Sequence, residues 1–127
     1  MPKKIIFTNA APAPIGPYSQ AVMVGDTLYV SGQIPIDPAT GALVNGTIED
    51  EARQVMLNIK AILNEAGLDF SNVVKTGIFL KDMNNFTKVN EVYGQFFTDQ
   101  YPARETVEVA RLPKDVNVEI SVIAVND

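Results

Sequence analysis

Short apolar runs and two longer segments of helical periodicity follow one another along the chain, and turn-forming residues separate them. Strands are predicted where β-branched and other apolar residues cluster between Gly, Pro, Asn and Asp. The predicted strands are Lys3–Thr8, Gln20–Val24, Thr27–Ser31, Asn72–Lys81, Glu105–Leu112 and Asn117–Val125. Only Gly25 and Asp26 separate the second strand from the third, which predicts a tight hairpin.

Two helices are predicted from the spacing of apolar residues. Within Thr47–Ala66 they recur every three or four positions, Thr47 suits the N-cap, acidic residues follow it, and Gly67 gives a stop. The second helix is predicted over Asn84–Asp99, which carries an aromatic stripe. We expect that stripe to belong to the core rather than to a surface on which bases stack.

The element order predicts an α+β fold over residues 1–127, a single domain with one mixed six-stranded sheet and both helices on one face. The last two strands are expected to pair as a hairpin, with Val107 and Val109 facing the helices. Alternation then assigns these residues to the opposite face: Arg104, Thr106, Glu108, Glu119 and Ser121. Because that face also carries Ile123 and has no cover, self-association is expected.

Composition narrows the possible chemistry. The 127 residues include no Cys, His or Trp, which excludes disulfides, cysteine nucleophiles and histidine-based acid–base catalysis. The net charge of −5 and the scattered Lys and Arg residues argue against binding to nucleic acid or to an anionic membrane surface. No apolar run approaches the ~20 residues of a membrane span, and no secretory pattern opens the chain, so a cytoplasmic protein is expected.

The residues best suited to catalysis or ligand binding are Arg104 and Glu119. They are expected in neighbouring strands, with their side chains pointing to the same side of the sheet. An arginine fork matches a carboxylate with two parallel hydrogen bonds, and a half-buried glutamate can orient or deprotonate water. Spacing alone favours the alternative of a cross-strand ion pair that only ties the hairpin together.

Other candidates are weaker when taken singly. Tyr18 follows the proline-rich loop Asn9–Pro17, where a packed surface aromatic is the commoner finding. The turn at Ser31-Gly32-Gln33 offers backbone N–H groups to an anion or simply ends a strand. No phosphate loop, metal-ligand cluster or dinucleotide fingerprint occurs, so no cofactor and no metal are expected.

Several blocks of sequence resemble one family. Pro102–Val125, PARETVEVARLPKDVNVEISVIAV, is similar to the signature of the RidA (YjgF-type) family of reactive-intermediate deaminases. Blocks at Ile15–Val22, Ser31–Gly41, Ala52–Thr76 and Val89–Phe97 also match in order. The resemblance therefore extends over almost the whole chain.

The resemblance implies a chorismate-mutase-like α+β fold and a homotrimer with clefts between subunits. It also implies cofactor-free hydrolysis of 2-imino acids or their enamine tautomers, such as 2-iminobutanoate and 2-iminopropanoate, to 2-keto acids and ammonia. Arg104 would grip the substrate carboxylate, Glu119 would position the attacking water, and Tyr18 would line the pocket, with further contacts from Gly32 and Asn90.

One position departs from the family pattern. Many members carry a cysteine two residues after the arginine, where this chain has Thr106. A thiol-dependent role is therefore impossible here, although a hydroxyl still forms hydrogen bonds to ligand oxygens. This departure bears on substrate range more than on hydrolysis.

Three functions remain open at this level. The first is an imine deaminase, and the second is a binding or sensing module that holds keto acids without turnover through the same Arg104 pocket. The third is an RNA-cleaving or translation-inhibiting protein, an activity attached to some relatives. The acidic charge and the absence of His argue against the third, because RNA cleavage needs acid–base groups near a cationic surface.

Overall fold

A computed structural model describes residues 2–127, so Met1 of the predicted domain lies outside the described residues. Its strands form one mixed six-stranded sheet with the spatial order β1-β2-β3-β6-β4-β5. They are β1 (Lys4–Ile6), β2 (Ala21–Val24), β3 (Thr27–Gln33), β4 (Val73–Leu80), β5 (Ala103–Glu108) and β6 (Val118–Val125). All neighbouring strands are antiparallel except β4 and β5, which are parallel. The predicted mixed sheet and the β2–β3 hairpin are confirmed.

Helix α1 spans Ile48–Glu65, close to the predicted bounds. The Thr47 side chain caps it by accepting a 3.1 Å hydrogen bond from the Asp50 N–H, and Gly67 follows its end with a φ of 78°. Within residues 2–127, no helix is long and apolar enough to cross a bilayer.

Helix α2 spans only Phe86–Gly94, so the predicted extent to Asp99 is wrong. The chain turns after Gly94, and Phe96 and Phe97 pack against the ring of Phe70 with centroid distances of 5.3 and 5.4 Å. This tertiary packing outweighs the helical spacing of the aromatic residues. The expectation that the stripe belongs to the core is confirmed, because its residues pack in or against the main hydrophobic cluster.

Both helices cover the same face of the sheet. Alternate residues of β6 are buried against them, namely Val118, Ile120, Val122 and Ala124. The residues between these point to the other face, which no element of the described chain covers. One face of the sheet therefore closes the core, and the other stays open.

The predicted hairpin between the last two strands is wrong. β5 pairs with β4, whereas β6 pairs with β3 and β4, so β4 lies between them. The reason is that β4, α2 and β5 form a strand–helix–strand crossover, which places β5 parallel to β4 at the edge of the sheet. Residues 109–117 then carry the chain back past β4, with a 3-10 turn at Pro113–Asp115.

The predicted face of β5 is also wrong. Arg104 lies opposite Thr76 of β4, which is fully buried on the helix face, whereas Glu119 lies opposite Phe79 on the open face. Arg104, Thr106 and Glu108 therefore point to the helix side of the sheet. The prediction took Val107 as buried, but this residue is 42% exposed, because apolar residues of an edge strand need not face the core.

Candidate functional site

The guanidinium of Arg104 is held by one face of α2. Its Nη1 donates a 2.5 Å hydrogen bond to Oδ1 of Asn90. Its Cζ lies 5.5 Å from the ring centroid of Phe86 and 5.1 Å from that of Tyr93, at distances that allow cation–π attraction. An exposed arginine is thereby fixed on three sides while its remaining donors stay free.

Helical geometry explains why these three residues act together. Phe86, Asn90 and Tyr93 are four and three positions apart, so they lie on one stripe of α2. Tyr93 is anchored in turn, because its hydroxyl shares a 3.0 Å hydrogen bond with Thr76 of β4. Burial raises the pKa of Tyr93, so the ring stays neutral beside the arginine. We call Phe86, Asn90 and Tyr93 the arginine cradle.

The arginine cradle borders an open cleft of about 460 Å³, which is also lined by Gly94, Tyr101 and Pro102. Thr106, two residues along β5, has a buried hydroxyl with no hydrogen-bond partner in the described part of the chain. A buried hydroxyl without a partner is costly unless a ligand or water satisfies it. The helix side of β5 thus carries a cation suited to a carboxylate at the cleft, and an unpartnered hydroxyl that is enclosed outside it.

Glu119 lies on the open face of the sheet, against Gly32 of β3. A Cβ atom at position 32 would stand only 2.7 Å from Cδ of Glu119, so any larger residue would displace the carboxylate. The side chain is half-buried and accepts no hydrogen bond from residues 2–127. Burial raises the pKa of Glu119, as desolvation disfavours the charged form.

The segment that follows Tyr18 is hydrogen-bonded to β3 next to the contact between Gly32 and Glu119. Ser31, next to Gly32, donates from its hydroxyl to the carbonyl of Ser19 at 2.6 Å, and its N–H donates to the carbonyl of Gln20 at 2.9 Å. The Tyr18 side chain is 52% exposed. The proline-rich loop therefore ends close to the Gly32–Glu119 contact, with its tyrosine accessible.

The six candidate residues thus fall into two groups rather than one. Arg104, Asn90 and Thr106 share the helix side of the β5 edge, whereas Gly32 and Glu119 meet on the open face, with the Tyr18 segment beside them. The prediction that Arg104 and Glu119 point to the same side is wrong for one chain. Phe86 and Tyr93 were missed as site residues, although their helical spacing from Asn90 was visible in the sequence.

The fold and these two groups define a class of small α+β protein with a cradled arginine on the covered side of a sheet and a half-buried glutamate on the open side. The family model described as endoribonuclease L-PSP matches residues 8–126. The chain therefore belongs to this family, the RidA (YjgF-type) family.

Similar proteins come from distant organisms. A RutC family protein of Pyrococcus horikoshii is 57% identical over 122 residues, which cover 96% of this chain and 97% of that protein. A 2-iminobutanoate/2-iminopropanoate deaminase of Bos taurus is 54% identical, covering 97% of this chain and 90% of that protein. The structure of E. coli TdcF with bound serine is 47% identical, with a TM-score of 0.94 and coverage of 98% and 99%.

Proposed function

We propose that this protein hydrolyses 2-imino acids or their enamine tautomers, such as 2-iminobutanoate and 2-iminopropanoate, to 2-keto acids and ammonia. The observation that carries the proposal is the arginine cradle, a preorganised anchor for a small carboxylate. The name of the bovine relative gives the same chemistry for that protein. The reaction needs no cofactor, because an imine carbon is already electrophilic.

The residues divide the chemical work. Arg104 binds the carboxylate of the substrate in the cleft beside the arginine cradle, whereas the Thr106 hydroxyl is buried and does not line that cleft. Glu119 accepts a proton from water as the water oxygen attacks C2 of the imine and the C=N electron pair moves to nitrogen. Glu119 passes this proton to that nitrogen, which gives a carbinolamine with a hydroxyl and an amino group on C2. Glu119 then carries the hydroxyl proton to the amino group, the C–N bond breaks to release ammonia, and the C2–O bond becomes the keto group. A glutamate with a raised pKa suits both halves of this transfer.

The active form is proposed to be a homotrimer with each site between two subunits. Arg104 and Glu119 of one chain lie on opposite sides of the sheet, so a complete site takes one residue from each of two copies. The open face offers a surface for this contact, since apolar residues cross it in one row: Ile5, Val22, Tyr29 and Ile123. Self-association covers such a row, and the number three comes from the family resemblance.

A coupled assay tests the activity. A threonine dehydratase releases the unstable imine, and the decay of the imine to 2-ketobutanoate is followed with and without this protein. We expect faster decay with the protein and none of this acceleration with Arg104→Ala. Decay at the same rate in both samples, with the protein folded, would refute the deaminase proposal. Calorimetric binding of 2-ketobutanoate without turnover would then favour the binding module.

RNA cleavage is the second candidate, because the matching family model carries an endoribonuclease description. The net charge of −5 makes this candidate weaker, since RNA binding leans on clustered cations. A gel assay with highly purified protein at modest salt should leave RNA intact. Cleavage that disappears in Arg104→Ala or Glu119→Ala, rather than on further purification, would reverse this ranking.

A further inference from the structure

Glu51 is a buried carboxylate that neither group of site residues includes. It lies in the first turn of α1 and is only 3% exposed. Within residues 2–127 it forms no ion pair, and both of its oxygens accept hydrogen bonds from a single residue, Asn117. Oε1 accepts from the backbone N–H at 3.1 Å, and Oε2 accepts from Nδ2 at 2.6 Å. We call this arrangement the Glu51–Asn117 brace.

The brace holds the chain immediately before β6 begins. Asn117 is followed by Val118 and then by Glu119, and its carbonyl accepts a 3.1 Å hydrogen bond from the N–H of Lys81. The position of Asn117 is thus fixed from α1 on one side and from the end of β4 on the other. A shift at Asn117 would be transmitted directly to Glu119, two residues along an extended strand.

Glu119 has a neighbouring strand on one side only, although it lies in a central strand of the sheet. In the described chain, the pairing of β6 with β3 ends at Ile120, so Val118 and Glu119 are paired only with β4. The ladder is already irregular there, with a register shift between Val30 and Gln33. The carboxylate of Glu119 also lacks a hydrogen bond of its own, so its place follows from the backbone and from contact with Gly32.

We propose that Glu51 is a positioning residue for the hydrolytic reaction: through Asn117 it fixes the start of β6 and thereby the carboxylate of Glu119. This inference rests on the proposed function. The brace also accounts for the burial of Glu51 without a neighbouring cation. Two Asn117 donors and the amino end of α1 stabilise its carboxylate. Glu119 points to the face opposite the arginine cradle, and neither Glu51 nor Asn117 forms a hydrogen bond with Arg104 or the cradle. The brace is therefore expected to act on the hydrolytic step and to leave the anchoring of the substrate carboxylate alone.

Steady-state kinetics separate positioning from general stability. We expect Glu51→Ala to lower kcat about ten- to a hundredfold, the cost of a small misplacement, while KM stays within about twofold. Glu51→Gln should keep most of kcat, because its amide oxygen still accepts from the Asn117 N–H and the Asn117 side chain can rotate to accept in turn. Glu65→Ala, an exposed glutamate of the same helix, is the control.

Wild-type kcat in folded Glu51→Ala would overturn the proposal, as would a loss in Glu51→Gln equal to that in Glu51→Ala. The titration of the Glu119 side-chain carboxyl carbon by NMR gives a readout that does not need activity. Its pKa should fall towards the ordinary glutamate value in Glu51→Ala, as water reaches the loosened strand, and stay raised in Glu51→Gln. An unchanged titration in Glu51→Ala would refute the brace, whereas a wild-type protein without hydrolysis would refute only the proposed function.

Discussion

Arg104 is exposed, yet its guanidinium contacts three side chains of α2. Two rings flank it, and Asn90 accepts from one of its nitrogens at 2.5 Å. Holding the fork in advance lowers the entropy lost when a carboxylate binds. The planar shape of the group matters as much as its charge, because an ammonium group neither stacks in the same way nor presents a fork.

Arg104→Lys is therefore expected to lose activity with the fold intact. A lysine ammonium group cannot form two parallel hydrogen bonds to the substrate carboxylate. The substrate is then misaligned with the attacking water, and kcat/KM should fall about a hundredfold. The turnover of 2-iminobutanoate measures the loss, with Arg53→Lys on the exposed side of α1 as the matched control. Equal turnover in the wild type and in Arg104→Lys would remove Arg104 from the site.

Glu119→Gln is expected to separate hydrolysis from binding. Without the base, the hydrolytic rate should fall about a hundredfold or more, while the binding of 2-keto acid changes less. In the wild type, the hydrolytic rate should decrease as the pH is lowered and Glu119 becomes protonated. This decrease should begin at a higher pH than for an ordinary glutamate, because burial raises the pKa of Glu119. Calorimetry and pH–rate profiles provide the measurements, and a parallel loss of binding and hydrolysis would indicate a structural role.

The same raised pKa has a consequence for stability. The folded state binds the Glu119 proton more tightly than the unfolded state, so this group favours folding at low pH and this contribution is lost as pH rises through the folded pKa. Glu119→Gln should therefore raise the melting temperature at neutral pH, by an amount that shrinks as pH falls. A lower melting temperature at neutral pH would contradict this expectation.

At the scale of elements, local patterns in the sequence predicted most of the sheet but not its connectivity. Strand and helix positions follow from hydrophobic spacing and from caps such as Thr47, which depend only on nearby residues. The pairing of β5 depends on where α2 crosses the sheet, which is a long-range choice. The order β4–α2–β5 was itself a signal for parallel pairing, and using it would have corrected the face of Arg104.

The sequence could suggest candidate residues for the site but not their arrangement. The family resemblance predicts Arg104 and Glu119 as site residues, and this stays a prediction. Their placement on opposite faces follows from the strand order and from which residues of β5 point to the helix side. Phe86 and Tyr93 look like ordinary core aromatics in a sequence, because nothing local reveals that a guanidinium lies between them.

The loop that presents Tyr18 is fixed by one amide. Gln20 is 1% exposed, and its side chain accepts from the Thr8 N–H at 2.8 Å. The two hydrogens on its Nε2 are shared among three backbone carbonyls within 3.3 Å. Those carbonyls belong to Thr8, Ala11 and Pro12. A proline-rich segment has few N–H groups with which to hold itself, so a side chain supplies the missing bonds.

Replacing Gln20 with Leu is expected to lower the free energy of unfolding by about 2 to 4 kcal/mol, because several backbone groups lose their partners together. Urea denaturation at fixed protein concentration measures the change, and hydrogen exchange at Thr8 should quicken. Gln95→Ala, at an exposed glutamine after α2, should change stability by less than about 0.5 kcal/mol. A Gln20→Leu protein as stable as the wild type would show that the loop holds itself.

At the scale of the whole molecule, the proposed assembly follows from the two sides of one sheet. A monomer presents its arginine and its glutamate back to back, and an apolar row runs across the open face. In the proposed assembly, pairing the arginine side of one copy with the open face of the next would cover the row and bring the two groups together. We expect the resulting cleft to exclude bulk water while it admits the attacking water molecule, which would strengthen the hold of Arg104 on a carboxylate.

Mixing two inactive variants tests this arrangement. If each site takes Arg104 from one chain and Glu119 from another, randomly mixed Arg104→Ala and Glu119→Ala subunits should form intact sites at about a quarter of the positions. Activity should therefore return to about that fraction of the wild-type value, and sedimentation equilibrium should show the trimer. No recovery despite demonstrated subunit exchange would place both residues in one chain.

The back-to-back placement of Arg104 and Glu119 has a consequence for protein concentration. If neither side is complete alone, an isolated chain is silent, and specific activity must fall on dilution below the concentration at which the copies separate. A newly synthesised chain would then become active only after it associates with other copies. Substitutions on the open face, far from Arg104 and Glu119, would then lower turnover because they reduce the fraction of chains that are assembled.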